Sequence, residues 1–184
     1  MRYLVFNKPF GVLSQFTQEV EGQRTLSEFN FPKGVYAAGR LDKDSEGLLI
    51  LTDDGAFNKK LTQPRFEKHK VYWVQVEGAP CDNDFNSFRQ GLMIKDYKTL
   101  PAQVKILNDF DIPPRDPPIR ERKNIPTTWI EVIIHEGKNR QVRRMCAAIG
   151  FPCLRLIRAE IGSYKLEDLP VGQWQEVSPR SIVP

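Results

Sequence analysis

An α+β fold, with helices flanking a largely antiparallel mixed sheet, is predicted by three observations. Short runs rich in Val, Ile, Phe, Tyr and Trp outnumber the helical stretches. These runs do not alternate strictly with helices, as a parallel α/β sheet requires. Only one segment, 140–149, carries a full helical stripe of apolar residues. The chain has 184 residues, within the ~100–200 of one domain. Surface scaling at 21.2 kDa lets roughly 70% of the unfolded chain's surface be buried, so a core can form without disulfide or metal staples. Hydrophobic residues at 40% and charged residues at 27% exclude a disordered, collagen-like or coiled-coil chain.

The elements follow in order. Arg2–Phe6 reads as a strand running into a turn at Lys8-Pro9-Phe10-Gly11. Thr25–Phe29 suits a short helix that stops before Pro32. Leu48-Leu49-Ile50-Leu51 is a continuous apolar run closed by Thr52-Asp53-Asp54-Gly55, the pattern of a buried strand and a turn. Ala56–Leu61 supplies one or two helical turns ending before Pro64. Lys70–Val76 and Trp129–Ile134 are dense in β-formers and read as strands, as does Gln103–Leu107. Phe85–Gln90 suggests a helix ended by Gly91. Residues 109–126 hold Pro113, Pro114, Pro117, Pro118 and Pro126, which forbid regular pairing, and Arg115, Arg120, Arg122 and Lys123 make the stretch basic. A stretch this long and basic is either an arm that contacts a polyanion or a connector. In the helix Arg140–Ile149, Asn139 is the expected N-cap, and Gly150 with Pro152 ends it. Val142, Met145, Cys146 and Ile149 form its apolar stripe, with Arg140, Arg143, Arg144 and Ala147 opposite. Arg155–Ile161 and Trp174–Val177 complete the strands, the last after a turn at Leu169-Pro170-Val171-Gly172.

Charge is unevenly placed. The net charge is +4, yet residues 138–158 hold six basic residues and no acid. A localised basic surface on a near-neutral body is the footprint expected for a polyanion, with a solvated helix face as the alternative. No apolar run approaches the ~20 residues of a membrane span, and the first residues do not form a signal peptide. Three sparse cysteines, Cys81, Cys146 and Cys153, with only two histidines, argue for a reducing compartment and against structural zinc. A cytoplasmic protein, with no membrane partner and no metal, is expected.

Chemistry is most concentrated at Gly39-Arg40-Leu41-Asp42-Lys43-Asp44-Ser45-Glu46-Gly47, immediately before the buried strand. Loops at the ends of core strands are where a rigid scaffold holds reactive groups. Three carboxylates in five residues are equally an acidic turn, or hard oxygen ligands for magnesium. Tyr72 shares a strand face with Lys70, Val74 and Val76 and by spacing alone reads as a core tyrosine.

Four stretches carry a family resemblance. Gly39-Arg40-Leu41-Asp42-x-Asp44-Ser45-x-Gly47-Leu48-Leu49-x-Leu51-Thr52-x-Asp54-Gly55 resembles the signature loop of pseudouridine synthases of the small-ribosomal-subunit type. Asn7-Lys8-Pro9-x-Gly11 is similar to that family's opening strand, and Lys70-Val71-Tyr72-x-Val74 to the strand bearing its active-site tyrosine. Glu136–Met145, with Gly150-x-Pro152 and the segment 154–158, resembles its basic helix and following strand. Ser45 stands where the family usually has threonine, and Asp53 where asparagine is common. Many members carry a small RNA-binding domain before the catalytic one; here the catalytic match begins at once.

The resemblance implies a pseudouridine synthase fold with a central RNA-binding cleft, and one catalytic domain, 1–184, in two lobes whose boundary the sequence does not assign. It implies a monomer that isomerises a uridine of 23S, large-subunit ribosomal RNA without a cofactor. Asp42 becomes the catalytic carboxylate, either as a nucleophile or as a base toward the sugar. Arg143 is expected to favour its ionised form. Tyr72 becomes the platform on which uracil stacks, with Leu156 a candidate for the opposing wall. Arg40 would fill the space of the flipped base or hold the adjacent phosphate, unless it pairs with Asp44. Lys138, Arg140 and Arg144 become RNA backbone contacts. Two other readings stand beside this one: a non-catalytic RNA-binding or ribosome-assembly protein, and a magnesium-dependent phosphoryl-transfer enzyme using Asp42 and Asp44.

Overall fold

The computed structural model describes residues 1–62, 68–120 and 122–183. Its elements in chain order are β1 (Tyr3–Lys8), β2 (Val12–Leu13), β3 (Arg24–Thr25), β4 (Tyr36–Ala37), β5 (Glu46–Thr52), α1 (Gly55–Thr62), β6 (Lys70–Glu77), α2 (Asn86–Gln90), β7 (Met93–Ile94), β8 (Tyr97–Lys98), β9 (Gln103–Ile106), β10 (Thr127–Ile134), α3 (Gln141–Ala148), β11 (Cys153–Ile161), β12 (Tyr164–Lys165), β13 (Trp174–Glu176) and α4 (Pro179–Ile182). Short 3-10 turns lie at Leu26–Phe29 and Asp82–Phe85. The chain divides into two units, Met1–Lys68 with Arg158–Pro184, and His69–Ile157.

In the first unit, β1 pairs antiparallel with β5 from Tyr3↔Thr52 to Lys8↔Gly47, and β13 pairs with β1 through Phe6↔Trp174. Every residue of β5 is buried. Leu49 and Leu51 enter a core with Leu4, Phe6, Val12, Leu26, Val35 and Leu41, while Leu48 and Ile50, which alternate with them, are equally inaccessible. Both faces of the strand are covered, so the sequence shows an unbroken apolar run where a half-exposed strand would alternate. The Phe6 ring meets Phe29 and Phe31 at 4.8 and 5.1 Å. Thr25 and Glu28 form a reciprocal capping box on the turn 26–29, and the left-handed Asn30 stops it well before Pro32. Asp54 caps α1 by accepting from the Ala56 and Phe57 amides at 2.9 and 3.0 Å. The Phe57 amide and then the Tyr3 hydroxyl hold its carboxyl below the usual range. The proline expected to end that helix, Pro64, lies outside the described residues.

In the second unit, β10 pairs antiparallel with β6 along its whole length, Thr127↔Glu77 to Ile134↔Lys70, and with β9 on its other side. One sheet face carries Tyr72, Val74, Val76, Ile130 and Val132, covered by Val142, Met145 and Cys146 of α3 and Phe88 of α2. Trp73 and Trp129 belong to the alternate face, where Phe110 packs against both rings at 5.0 and 5.3 Å. Arg155 lies over Trp129 and donates to the Pro113 carbonyl at 2.9 Å. The proline-rich 109–126 stretch is therefore anchored to this face at Phe110 and Pro113.

The long strands and three of the helices fall where the sequence places them. The two-residue strands β2, β3, β4, β7, β8 and β12, and the four-residue α4, are not in the sequence reading. Among the described residues, no helix is long and apolar enough to cross a membrane.

Candidate active site

The acidic loop lies in the first unit, between β4 and β5. Asp42 and Asp44 are half-buried, Arg40 and Lys43 exposed, and Leu41 points into the core. The loop's backbone is tied from several directions. The Ser14 hydroxyl donates to the Leu41 carbonyl at 2.8 Å and accepts from the Leu41 amide at 3.1 Å. The Gly11 amide donates to the Lys43 carbonyl at 2.8 Å, and the Ser45 amide to the Asp42 carbonyl at 3.0 Å. Arg158, reaching across from β11, donates to the Leu48 carbonyl at 2.8 Å and to the Arg40 carbonyl at 3.5 Å. The Arg40 side chain extends to Gln15 at 3.4 Å.

Lys8 is the residue that sequence reasoning missed here. It is completely buried, and its ammonium donates to the carbonyls of Pro9 and Val12 at 3.0 and 2.7 Å. Burial pulls its pKa down from 10.5 to about 7, while Glu46, Asp44 and Asp42 hold it up and Arg158 pushes it further down. Two sequence signals exist for it: Lys8 lies within the Asn7-Lys8-Pro9-x-Gly11 match, and it follows Tyr3–Asn7 within a strand and precedes Pro9.

The basic helix belongs to the second unit and begins differently from expectation. Asn139 is not its N-cap. Arg140 is, in a left-handed conformation (φ 52°) and with no capping side-chain bond. Asn139 instead accepts from Arg144 at 2.6 Å. The Gln141 side chain, almost fully buried, ties down the turn that leads into the helix: it accepts from the Lys138 amide and donates to the Glu136 carboxylate. The stripe Val142, Met145 and Cys146 is buried as expected, with Ile149 partly buried just past the last turn. Arg143 is half-buried and donates to the Cys153 sulfur at 3.5 Å.

The basic surface is also smaller than the sequence suggests. Lys138, Arg140, Arg143 and Arg144 cluster about the start of α3, with Lys138 over the Tyr97 ring. Arg155 and Arg158 are 7% and 4% exposed and serve backbone carbonyls, so they add little to any polyanion-binding face. Tyr72 and Leu156 lie in the same core cluster of the second unit, at 7% and 5% exposure. Both positions agree with the reading by spacing of a core tyrosine and an ordinary core leucine.

The first unit thus carries a half-buried carboxylate on a tied loop that leads into a buried strand, and the second a helix with cationic residues about its start. The family model for RNA pseudouridylate synthase matches residues 2–148, and the chain belongs to that family; it is an RNA pseudouridine synthase. It is 54% identical over 177 residues to the ribosomal large subunit pseudouridine synthase E of Vibrio vulnificus, covering 96% of this chain and 75% of that one. The Xanthomonas campestris protein of the same name is 50% identical over 183 residues, which span 98% of each chain. A crystal structure of a pseudouridylate synthase shares the fold with a TM-score of 0.81 at 28% identity, covering 98% of this chain and 72% of that chain. Membership sets aside the non-catalytic reading.

Proposed function

We propose that this synthase isomerises a uridine of large-subunit (23S) ribosomal RNA to pseudouridine, with Asp42 as the catalytic carboxylate. The observation that carries the reading is the setting of Asp42. It is half-buried on a loop whose backbone is bonded on both sides of it and which leads into a wholly buried strand. The choice of RNA is supported by the names of the relatives at 50% identity and above.

The reaction breaks the bond from ribose to uracil N1, turns the base, and joins ribose to C5. The proton of C5 leaves to solvent and N1 takes one up, so atoms and electrons balance within the nucleoside. A carboxylate assists the cleavage either by covalent attack or by removing a sugar proton. Tyr72 is the stacking platform in this reading, a contact worth ~1–3 kcal/mol per base, with Leu156 as an apolar wall. A flat surface suits a detached base that must turn while it is retained. Arg143 supports turnover, Arg40 serves the flipped nucleotide or its phosphate, and Lys138, Arg140 and Arg144 neutralise backbone phosphates. The chain acts as one catalytic domain, a monomer, in the cytoplasm and without a cofactor.

Tritium release from RNA labelled at uracil C5, assayed with chelator present, tests the proposal. Activity should survive chelation and disappear in Asp42→Asn, with RNA binding retained. Binding without release in the unsubstituted protein overturns it, and loss on chelation returns the magnesium reading.

A further inference from the structure

The bonds around Asp42 are not evenly distributed. Leu41, the residue before it, has both of its backbone polar groups closed by a single side-chain atom, the Ser14 hydroxyl, at 2.8 and 3.1 Å. Ser14 is 7% exposed and Leu41 equally so. A hydroxyl has one donor proton and two lone pairs, so it can donate to the carbonyl and accept from the amide of one residue at once. No apolar side chain can do this. The Leu41 side chain is meanwhile locked into the core beside Val12 and Leu26. Three residues from Ser14, the Gly11 amide takes the Lys43 carbonyl, on the other side of Asp42. Gly11 has φ +83°, a conformation open to glycine and strained for other residues. The segment 11–14, which contains β2, thus bonds to the chain immediately before and immediately after Asp42.

Resting on the assignment of Asp42 as the catalytic carboxylate, we propose that Ser14 is a positioning residue for the isomerisation: its hydroxyl fixes the backbone of Leu41, and so the point from which the Asp42 side chain departs. Ser14 touches no reacting atom. Its effect passes through one peptide unit. Misplacing a reactive group by about 1 Å costs on the order of 10²-fold in rate, whereas RNA affinity is set largely by phosphate contacts elsewhere.

Ser14→Ala and Ser14→Thr are compared with the unsubstituted enzyme by tritium release, with kcat and KM determined separately and thermal midpoints measured. Val12→Ala, in the same core, is the control for stability loss alone. Ser14→Ala should lower kcat by about tenfold to a hundredfold and leave KM within about twofold; Ser14→Thr, which keeps the hydroxyl, should restore most of kcat. A kcat within about twofold of normal in Ser14→Ala, a Thr variant as slow as the Ala variant, or an equal kcat loss in Val12→Ala at the same thermal midpoint overturns the proposal. Hydrogen exchange on the unsubstituted protein gives a second reading that needs no variant: the Leu41 amide should be strongly protected, and exchange at the rate of a free amide overturns the proposal as well. Asp42→Asn separates the two claims. Full activity in that variant defeats the catalytic assignment, whereas its inactivity beside a fully active Ser14→Ala defeats only the positioning role.

Discussion

Replacing Lys8 by methionine removes a titrating group whose folded pKa is about 7 against 10.5 in the unfolded chain. The sign follows from proton counts. Between those two values the unfolded chain binds a proton that the folded chain has lost, so stability rises with pH. The penalty for burying the charged ammonium is fully present below about pH 7, shrinks through the window, and is gone above about pH 10.5. One proton corresponds to ~1.4 kcal/mol per pH unit. The difference in unfolding free energy, parent minus Lys8→Met, should therefore grow by about 2.5 kcal/mol between roughly pH 7.5 and 9.5. Urea denaturation of both proteins at several pH values and constant ionic strength measures it. Groups that do not interact with Lys8 titrate alike in the two proteins and cancel. The absolute offset also contains the two carbonyl hydrogen bonds that methionine cannot make, which is why the slope and not the offset is diagnostic. A difference that stays flat, or falls as pH rises, refutes the argument that burial dominates at Lys8.

Three other outcomes are expected. Asp42→Asn should abolish tritium release while binding RNA within about threefold of normal, because one carboxylate contributes little to phosphate affinity; a retained rate removes its catalytic role. Arg143→Ala should reduce kcat more than affinity, whereas Arg144→Ala should chiefly weaken binding and lower the slope of log affinity against log salt by about one; equal effects on both quantities in both variants defeat the distinction. Gly91→Ala should destabilise the fold by about 2–4 kcal/mol in urea denaturation, since its φ is +77° and an added Cβ would lie 2.3 Å from the Thr99 carbonyl oxygen; a loss below about 0.5 kcal/mol shows that the hairpin of β7 and β8 yields easily.

The long elements were legible because their apolar content has a period. Lys70–Val76 and Trp129–Ile134 were read as strands and pair in register, and the stripe Val142, Met145, Cys146 covers their core face. Two-residue strands have no period to read, and β2 with β3 join through a parallel bridge between segments twelve residues apart. The start of α3 was misplaced for a different reason. Asparagine is a good N-cap in isolation, but here the chain enters the helix through a left-handed Arg140, and the Asn139 side chain is engaged by Arg144. The charge count treated Arg155 and Arg158 as surface, since nothing in a linear sequence marks an arginine whose guanidinium serves carbonyls in its own fold. Lys8 and Ser14 escaped for the same reason: each acts on backbone groups, which leave no trace in side-chain pattern.

Two cations beneath one acidic loop call for an energetic explanation. Taking an ammonium and a guanidinium out of water costs several kcal/mol each after relaxation, and apolar residues of the same volume commonly give a more stable protein. Lys8 and Arg158 are 0% and 4% exposed, and each donates to two backbone carbonyls at the ends of the loop and its supporting turn. Leucine or methionine would fill the space but leave those carbonyls unsatisfied, at ~1–3 kcal/mol apiece. Long side chains with several donors reach carbonyls on separate segments at once, Pro9 with Val12 and Arg40 with Leu48. Asp42, Asp44 and Glu46 lie close enough to support the Lys8 ammonium against the cost of its burial, so the acidic loop and the cation beneath it stabilise one another while the lysine is protonated. Stability alone does not account for that combination; the catalytic role proposed for Asp42 would, since it calls for a carboxylate held in place on a rigid loop.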